Sequence, residues 1–270
     1  MQALNIAATG MLAQQTNVEV ISNNISNMTT TGFKRHRAEF QDLLYQDLRR
    51  VGSNSSDAGT IVPSGIQLGV GTRIASTYRI SEQGSLVLTD NPFDIAINGE
   101  GFFQIQLPDG DTGYTRDGSF QLNNAGQLVN SEGFQLLPGV VIDQSATGIT
   151  INQNGQVLLK FDGQTTETVA GTIQIATFQN KAGLEHIGRN LLKVTEASGA
   201  AITANPGANG FGTISQGFVE SSNVDAVHEI TDLITAQRGY ELNSKVIELS
   251  LIHISEPTRR YAISYAVFCL

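Results

Sequence analysis

Leu4, Met11, Val18 and Ile25 recur every seven residues, and Ala7, Gln14, Ile21 and Met28 repeat the spacing three residues later. An apolar repeat held over about four heptads fits a long α-helix with a narrow seam. Such a helix would run roughly 40 Å at about 1.5 Å per residue. Its other faces carry Gln15, Thr16, Asn17, Ser22, Asn23 and Asn24, with Glu19 the only charge before Lys34. A solvated helix normally draws support from Glu/Lys pairs four residues apart. This one has none, so it needs partners on more than one side. Thr29-Thr30-Thr31 then precedes Gly32, a residue suited to the left-handed position that ends a helix.

The chain closes as it opens. Ser221-Ser222-Asn223 offers helix caps. Val227, Ile230 and Ile234 then lie on one helical face, with Leu233, Tyr240 and Ile247 on an adjoining one. Two terminal seams are most simply satisfied by pairing with each other. Between them, Leu86/Leu88, Ile95/Ile97, Phe103/Ile105/Leu107, Phe120/Leu122 and Ile173/Ile175 alternate as short strands do. Asn98-Gly99, Asp109-Gly110, Asp117-Gly118, Asn154-Gly155 and Asp162-Gly163 read as tight hairpin turns.

The fold class is therefore α+β: long N- and C-terminal helices paired as a coiled-coil-like domain, with an all-β middle domain of short strands and hairpins. The expected divisions are 1–32 with 222–250 as the helical domain, 33–69 as a connecting segment, and 70–221 as the β domain. Phe33, Phe40, Leu43, Leu44 and Tyr45 supply apolar anchors in the connection. From Gln46 to Gly65 the chain reads as a loop, with Gly52-Ser53-Asn54-Ser55-Ser56 and Pro63.

Composition excludes several functions. Lys and Arg number 16 against 25 Asp and Glu, a net charge of -9, so no basic stripe exists to meet phosphates and no nucleic-acid partner is expected. No apolar run is long enough for membrane insertion. The N-terminus lacks the basic and apolar regions of a Sec signal peptide. Cys269 is the single cysteine, which leaves no internal disulfide and no zinc site. Only 15% of residues are charged, against about 25% in typical domains. Gly and amides take their place, a balance more usual in tubes and fibres than in enzymes.

The residues offer little catalytic chemistry. His36, His186, His228 and His253 share no ligand spacing. Asp109-Gly110-Asp111-Thr112-Gly113-Tyr114 begins like a calcium loop, but Gly stands at the third ligand position and Tyr at the required glycine, so a polar hairpin is expected. Gly99-Glu100-Gly101-Phe102-Phe103-Gln104 is no dinucleotide fingerprint, because it ends in Gln and leads into a strand. We expect no catalytic, metal or cofactor-binding residues and no cofactor.

Five segments, in order, resemble the bacterial flagellar rod and hook proteins. They are Asn23-Asn24-Ile25-Ser26-Asn27 with Thr30-Thr31-Gly32-Phe33-Lys34-Arg35; Asp94 to Phe103; Tyr114-Thr115-Arg116-Asp117-Gly118-Ser119-Phe120; Ser222-Asn223-Val224; and Gln237 to Lys245. The likeness covers residues 1 to about 248. Phe40-Gln41-Asp42-Leu43-Leu44-Tyr45-Gln46 and the polar stretch to Gly65 resemble most the members that form the distal rod.

The resemblance implies a structural subunit of a helical, tubular drive shaft that carries torque from motor to hook. Terminal helices would line its channel, with the β domain outside. It implies a homo-oligomer that also meets proximal rod proteins, hook protein and rod-surrounding ring proteins. It further implies export by the flagellar type III apparatus and residence in the periplasmic basal body. The expected assembly contacts are Leu4, Met11, Val18, Ile21, Ile25, Met28, Phe33, Phe40, Leu43, Leu44, Tyr45, Val227, Ile230, Ile234 and Tyr240. The 46–65 loop would reach a neighbour and stiffen the shaft. Other readings are another rod or hook-type axial protein, or a secreted β-rich carbohydrate-active protein. The last would need clustered carboxylates or regularly spaced exposed aromatics.

After Glu248 the likeness ends. Residues 249–270 read as foreign to the family pattern: Pro257 should stop the helix, and Tyr261, Ile263, Tyr265, Val267 and Phe268 are unusually apolar for a tail.

Overall fold

The computed structural model describes residues 2–49, 64–163 and 166–267, with side chains as far as Ile252. It is α+β, with a helix at each end and β structure between them. The chain divides into two compact units. One comprises residues 1–25, 36–78 and 226–270; the other comprises 26–35 and 79–225.

The first unit holds helix α1 (Gln2–Ser26), strands β1 (His36–Asp42), β2 (Tyr45–Arg49), β3 (Ile66–Gly69) and β4 (Thr72–Arg79), and helix α2 (Ala226–Val267). Helix α1 ends at Ser26, so Met28 lies beyond it. Helix α2 passes through Pro257, where the sequence predicted a stop. Proline removes one intrahelical N–H bond, but its fixed φ is itself helical, so a helix can continue at a local cost.

The two helices meet where side chains are small. A Cβ on Gly239 would sit 3.3 Å from Gln14 Cδ, and one on Gly10 would sit 3.0 Å from Asn243 Nδ2. Glycine inside a helix costs roughly 1 kcal/mol against alanine; here it admits a neighbouring helix. Asn24, read from sequence as a flank residue, is buried instead. Its Nδ2 donates to His36 O (2.9 Å) and to Glu229 Oε2 (3.1 Å), while its Oδ1 accepts His36 N–H (2.8 Å). One amide thus ties α1 to both β1 and α2.

Strand β1 pairs with β4, and β2 with β3. The second pairing corrects the expected loop at its base. Tyr45 opposes Gly69, Gln46 opposes Leu68 and Asp47 opposes Gln67. Residues 45–49 and 66–69 are therefore a two-stranded ribbon, although Tyr45-Gln46-Asp47-Leu48 lacks the apolar/polar alternation that would signal a strand. The rest of that predicted loop, 50–63, lies outside the described residues.

The second unit holds β5 (Leu86–Leu88), β6 (Ile95–Asn98), β7 (Phe102–Gln106), β8 (Thr112–Thr115), β9 (Gln121–Leu122), β10 (Leu128–Val129), β11 (Leu136–Leu137), β12 (Ala146–Ile151), β13 (Gln156–Phe161) and β14 (Thr168–Thr172). It continues with β15 (Ile175–Thr177), β16 (Glu185–Gly188), β17 (Leu191–Lys193), β18 (Ile202–Ala204), β19 (Thr213–Gln216) and β20 (Phe218–Glu220). Its main sheet runs β16-β17-β8-β7-β15-β18, with β11 also on β7. A second sheet is β12-β13-β14, and β19 pairs with β6 and β20 with β5.

Strand β7 organises the packing because its side chains alternate between two cores. Phe103 and Ile105 enter the larger one with Ile95, Phe120, Leu128 and Val157. Phe102 enters the smaller one with Tyr114, Phe178 and Leu192. The rings of Phe103 and Phe120 meet edge to face at 5.4 Å, as do Tyr114 and Phe178 at 4.8 Å.

The Gly dipeptides separate into two kinds. Asp109-Gly110, Asn154-Gly155 and Asp162-Gly163 do join paired neighbouring strands. Asn98-Gly99 and Asp117-Gly118 do not form hairpins; β6 pairs with β19 instead of β7. At Gly118 the reason for glycine is proximity: an added Cβ would lie 1.6 Å from Ile95 O.

Candidate assembly surfaces and a buried junction

The expected contact residues fall into three groups. On α1, Ile21 is buried and Leu4, Met11, Val18 and Ile25 are half-buried. The buried positions there are Ala7 and Ile21, which belong to the predicted seam, and Ala13 and Asn24, which do not. On α2, Val227, Ile230, Ile234 and Tyr240 are 75%, 48%, 46% and 43% exposed. The covered face of α2 is Glu229, Leu233, Ala236, Gly239, Asn243 and Ile247 instead. In the connecting region Leu43 and Phe33 are half-buried, whereas Met28, Phe40, Leu44 and Tyr45 are exposed. A single subunit thus leaves much of the predicted apolar set uncovered, and helix α2 shows a row of aliphatic side chains to solvent.

The motif residues follow another logic. Gly32 has φ +67°, and its N–H donates to Glu220 O at 2.8 Å. A Cβ there would meet the Arg116 and Asp117 backbone at 2.8 Å. The turn aims Lys34, 4% exposed, at the carboxylate of Glu220, 1% exposed. Arg116 Nε reaches the other oxygen of Glu220 at 2.9 Å. Its Nη1 and Nη2 donate to Gly101 O (2.7 Å) and Gly99 O (2.8 Å). Lys34 Nζ also donates to Glu82 O at 2.6 Å, and Gly84 N–H donates to Glu220 Oε1 at 3.0 Å. Asn223 Oδ1 accepts Arg35 N–H at 2.7 Å, and its Nδ2 donates to Ile80 O and Glu82 O, both at 3.1 Å.

Four motifs far apart in sequence therefore converge on one buried carboxylate and one asparagine. Burial pushes the pKa of Lys34 and of Arg116 down, and Glu220 opposes the shift in each. A buried ion triad of this kind holds only while every charge keeps its partners. Glu220 escaped sequence reasoning, because a lone Glu ending a strand carries no local sign that two cations will fold onto it.

The calcium-like segment is the β7–β8 turn, where Asp111 Oδ2 pairs with Lys193 Nζ at 2.6 Å. Among the described residues no group of three or more His, Cys, Asp or Glu is placed to hold a metal ion. No described helix is long and apolar enough to cross a membrane.

These motif positions agree with three family models. Residues 4–34 match the flagella basal body rod protein model, 96–159 the flagellar hook protein FlgE/F/G D1 domain, and 215–249 the flagellar basal body rod FlgEFG protein C-terminal model. The flagellar basal-body rod protein FlgG of Caulobacter vibrioides is 59% identical over 247 residues, spanning 92% of this chain and 94% of that protein. This chain belongs to the flagellar basal-body rod protein family. The relatives of the same name in Agrobacterium fabrum and Bacillus subtilis are 49% and 37% identical, each over more than nine-tenths of both chains. As a rod protein the chain is a structural component of the flagellar basal body. The buried junction is then architecture: it fixes the 30–35 segment within the second unit.

Proposed function

We infer that the chain is the non-catalytic subunit of the distal rod, polymerising head to tail into the tube that transmits torque from motor to hook. The observation that carries this reading is the uncovered aliphatic row on α2, Val227, Ile230 and Ile234, in a member of the rod family. Contacts that do not close on themselves generate helical filaments. In such a filament these side chains meet neighbouring copies, and α1 and α2 pack as a coiled-coil-like pair around the channel. Proximal rod proteins, hook protein, surrounding ring proteins and the type III export apparatus are the further partners, and the periplasm is the place. The β2–β3 ribbon, which pairs the residues on either side of 50–63, supports the stiffening role given to 46–65. Residues 249–270 we read as foreign to the family; the match to its C-terminal model runs to 249.

Electron microscopy of concentrated protein tests the reading. Wild type should form straight tubes, and Ile230→Asp with Ile234→Asp should give folded protein that forms none. Normal tubes from the double variant would overturn the assembly face. Deleting 50–63 should yield bendable tubes; straight ones would end the stiffening role. Resequencing the 3′ end of the gene decides whether 249–270 belongs to it.

A further inference from the structure

Beside the ion triad lies a cavity of about 130 Å³ within the second unit. Lys34, Arg79, Arg116 and Lys181 line it, with Glu82 and Glu100. Lys34 and Arg116 share Glu220, and Lys181 pairs with Glu100. Glu82 Oε2 lies 3.6 Å from Arg35 Nη2. That leaves Arg79, whose side chain has no ion-pair partner among the described residues. Its Nε and Nη2 are both buried without an acceptor. Those two atoms form one edge of the guanidinium, the edge that takes a two-oxygen acceptor side-on. The guanidinium carbon sits 5.8 Å from the Phe102 ring centroid. A charged donor pair left buried and unmade is costly, and Arg116 beside it adds like charge.

We propose that this cavity is a site for a small oxyanion, a carboxylate or phosphate group, gripped side-on by Nε and Nη2 of Arg79. The group comes either from a free anion or from an acidic side chain of a second copy of this chain. Four basic residues against two acidic ones line the cavity, so a bound oxyanion meets net positive charge. Arg79 differs from the triad: Lys34 and Arg116 each have Glu220 as an ion-pair partner within the subunit, whereas Arg79 has no carboxylate partner among the described residues. Burial and Arg116 lower the Arg79 pKa to about 10, in line with a cation short of a counter-ion.

Thermal unfolding of dilute full-length protein tests this, with inorganic phosphate or acetate added against chloride at equal ionic strength. At ten times its dissociation constant a bound anion should raise the midpoint by roughly 3–6 °C. Arg79→Met, which keeps the stem over Phe102, should abolish that rise while unfolding no lower than wild type without anion. If small anions have no effect, the Arg79 Nε–H resonance should instead move as protein concentration rises, which identifies a carboxylate of a second copy. Neither response, or an Arg79→Met midpoint well below wild type in anion-free buffer, overturns the proposal. The free-anion arm is read on monomers, so it stands or falls apart from tube formation.

Discussion

Replacing Glu220 by Gln keeps its shape and removes its charge, which isolates what the carboxylate does. Lys34 Nζ and Arg116 Nε then face a neutral amide in a site where all three side chains are under a tenth exposed. Removing one partner from a buried ion pair costs about 3–5 kcal/mol. The lower end applies here, because Arg116 keeps two carbonyl acceptors and Lys34 keeps Glu82 O. With a loss of about 3 kcal/mol and a urea slope of about 2 kcal/mol/M, the unfolding midpoint should fall by roughly 1.5 M. Tyrosine fluorescence reports the transition, since the chain has no tryptophan. Lys34→Met combined with Glu220→Gln should cost less than the two changes summed, with a coupling of about 1–3 kcal/mol. A loss below about 1 kcal/mol for Glu220→Gln, or strict additivity, would refute the claim that Glu220 holds the junction by its charge.

Gly118→Ala should prevent the second unit from folding, because the new Cβ has no room beside Ile95 O; a near-native circular dichroism spectrum and midpoint would contradict this. Asn24→Ala should destabilise the first unit by about 1–3 kcal/mol, since two His36 backbone groups and Glu229 lose their shared partner; amide exchange at His36 would show it as lost protection. Lys34 gives an alkaline signature. Its folded pKa is lowered below 10.5 chiefly by burial, so between that value and 10.5 the unfolded chain binds the proton more readily. Stability should therefore gain a rising component with pH across that window. Lys34→Met should remove this component in urea melts, and an unchanged pH slope would show that Lys34 is not its source.

Much of this molecule was legible in local patterns. Both terminal helices, several strands and three of five Gly dipeptide hairpins follow from periodicity and turn chemistry, which act over a few residues. The ribbon at 45–49 leaves no local sign, because Tyr45-Gln46-Asp47-Leu48 does not alternate and runs into a Gly/Ser-rich stretch that reads as loop. The covered face of α2 is only partly legible, because Leu233 and Ile247 share it with Glu229, Ala236, Gly239 and Asn243. Hydrophobicity marks residues that want cover; it does not say whether the cover lies in the same subunit.

Local patterns fix the element types, the acidic charge balance, and membership in a family whose motifs stand here in order. What those motifs do emerges in the folded chain. Gly32, Lys34, Gly99, Gly101, Arg116 and Asn223 span nearly two hundred positions, and no local propensity relates them. They come together because Glu220 is buried where β20 ends, and a buried carboxylate must collect its cations from wherever the fold brings them.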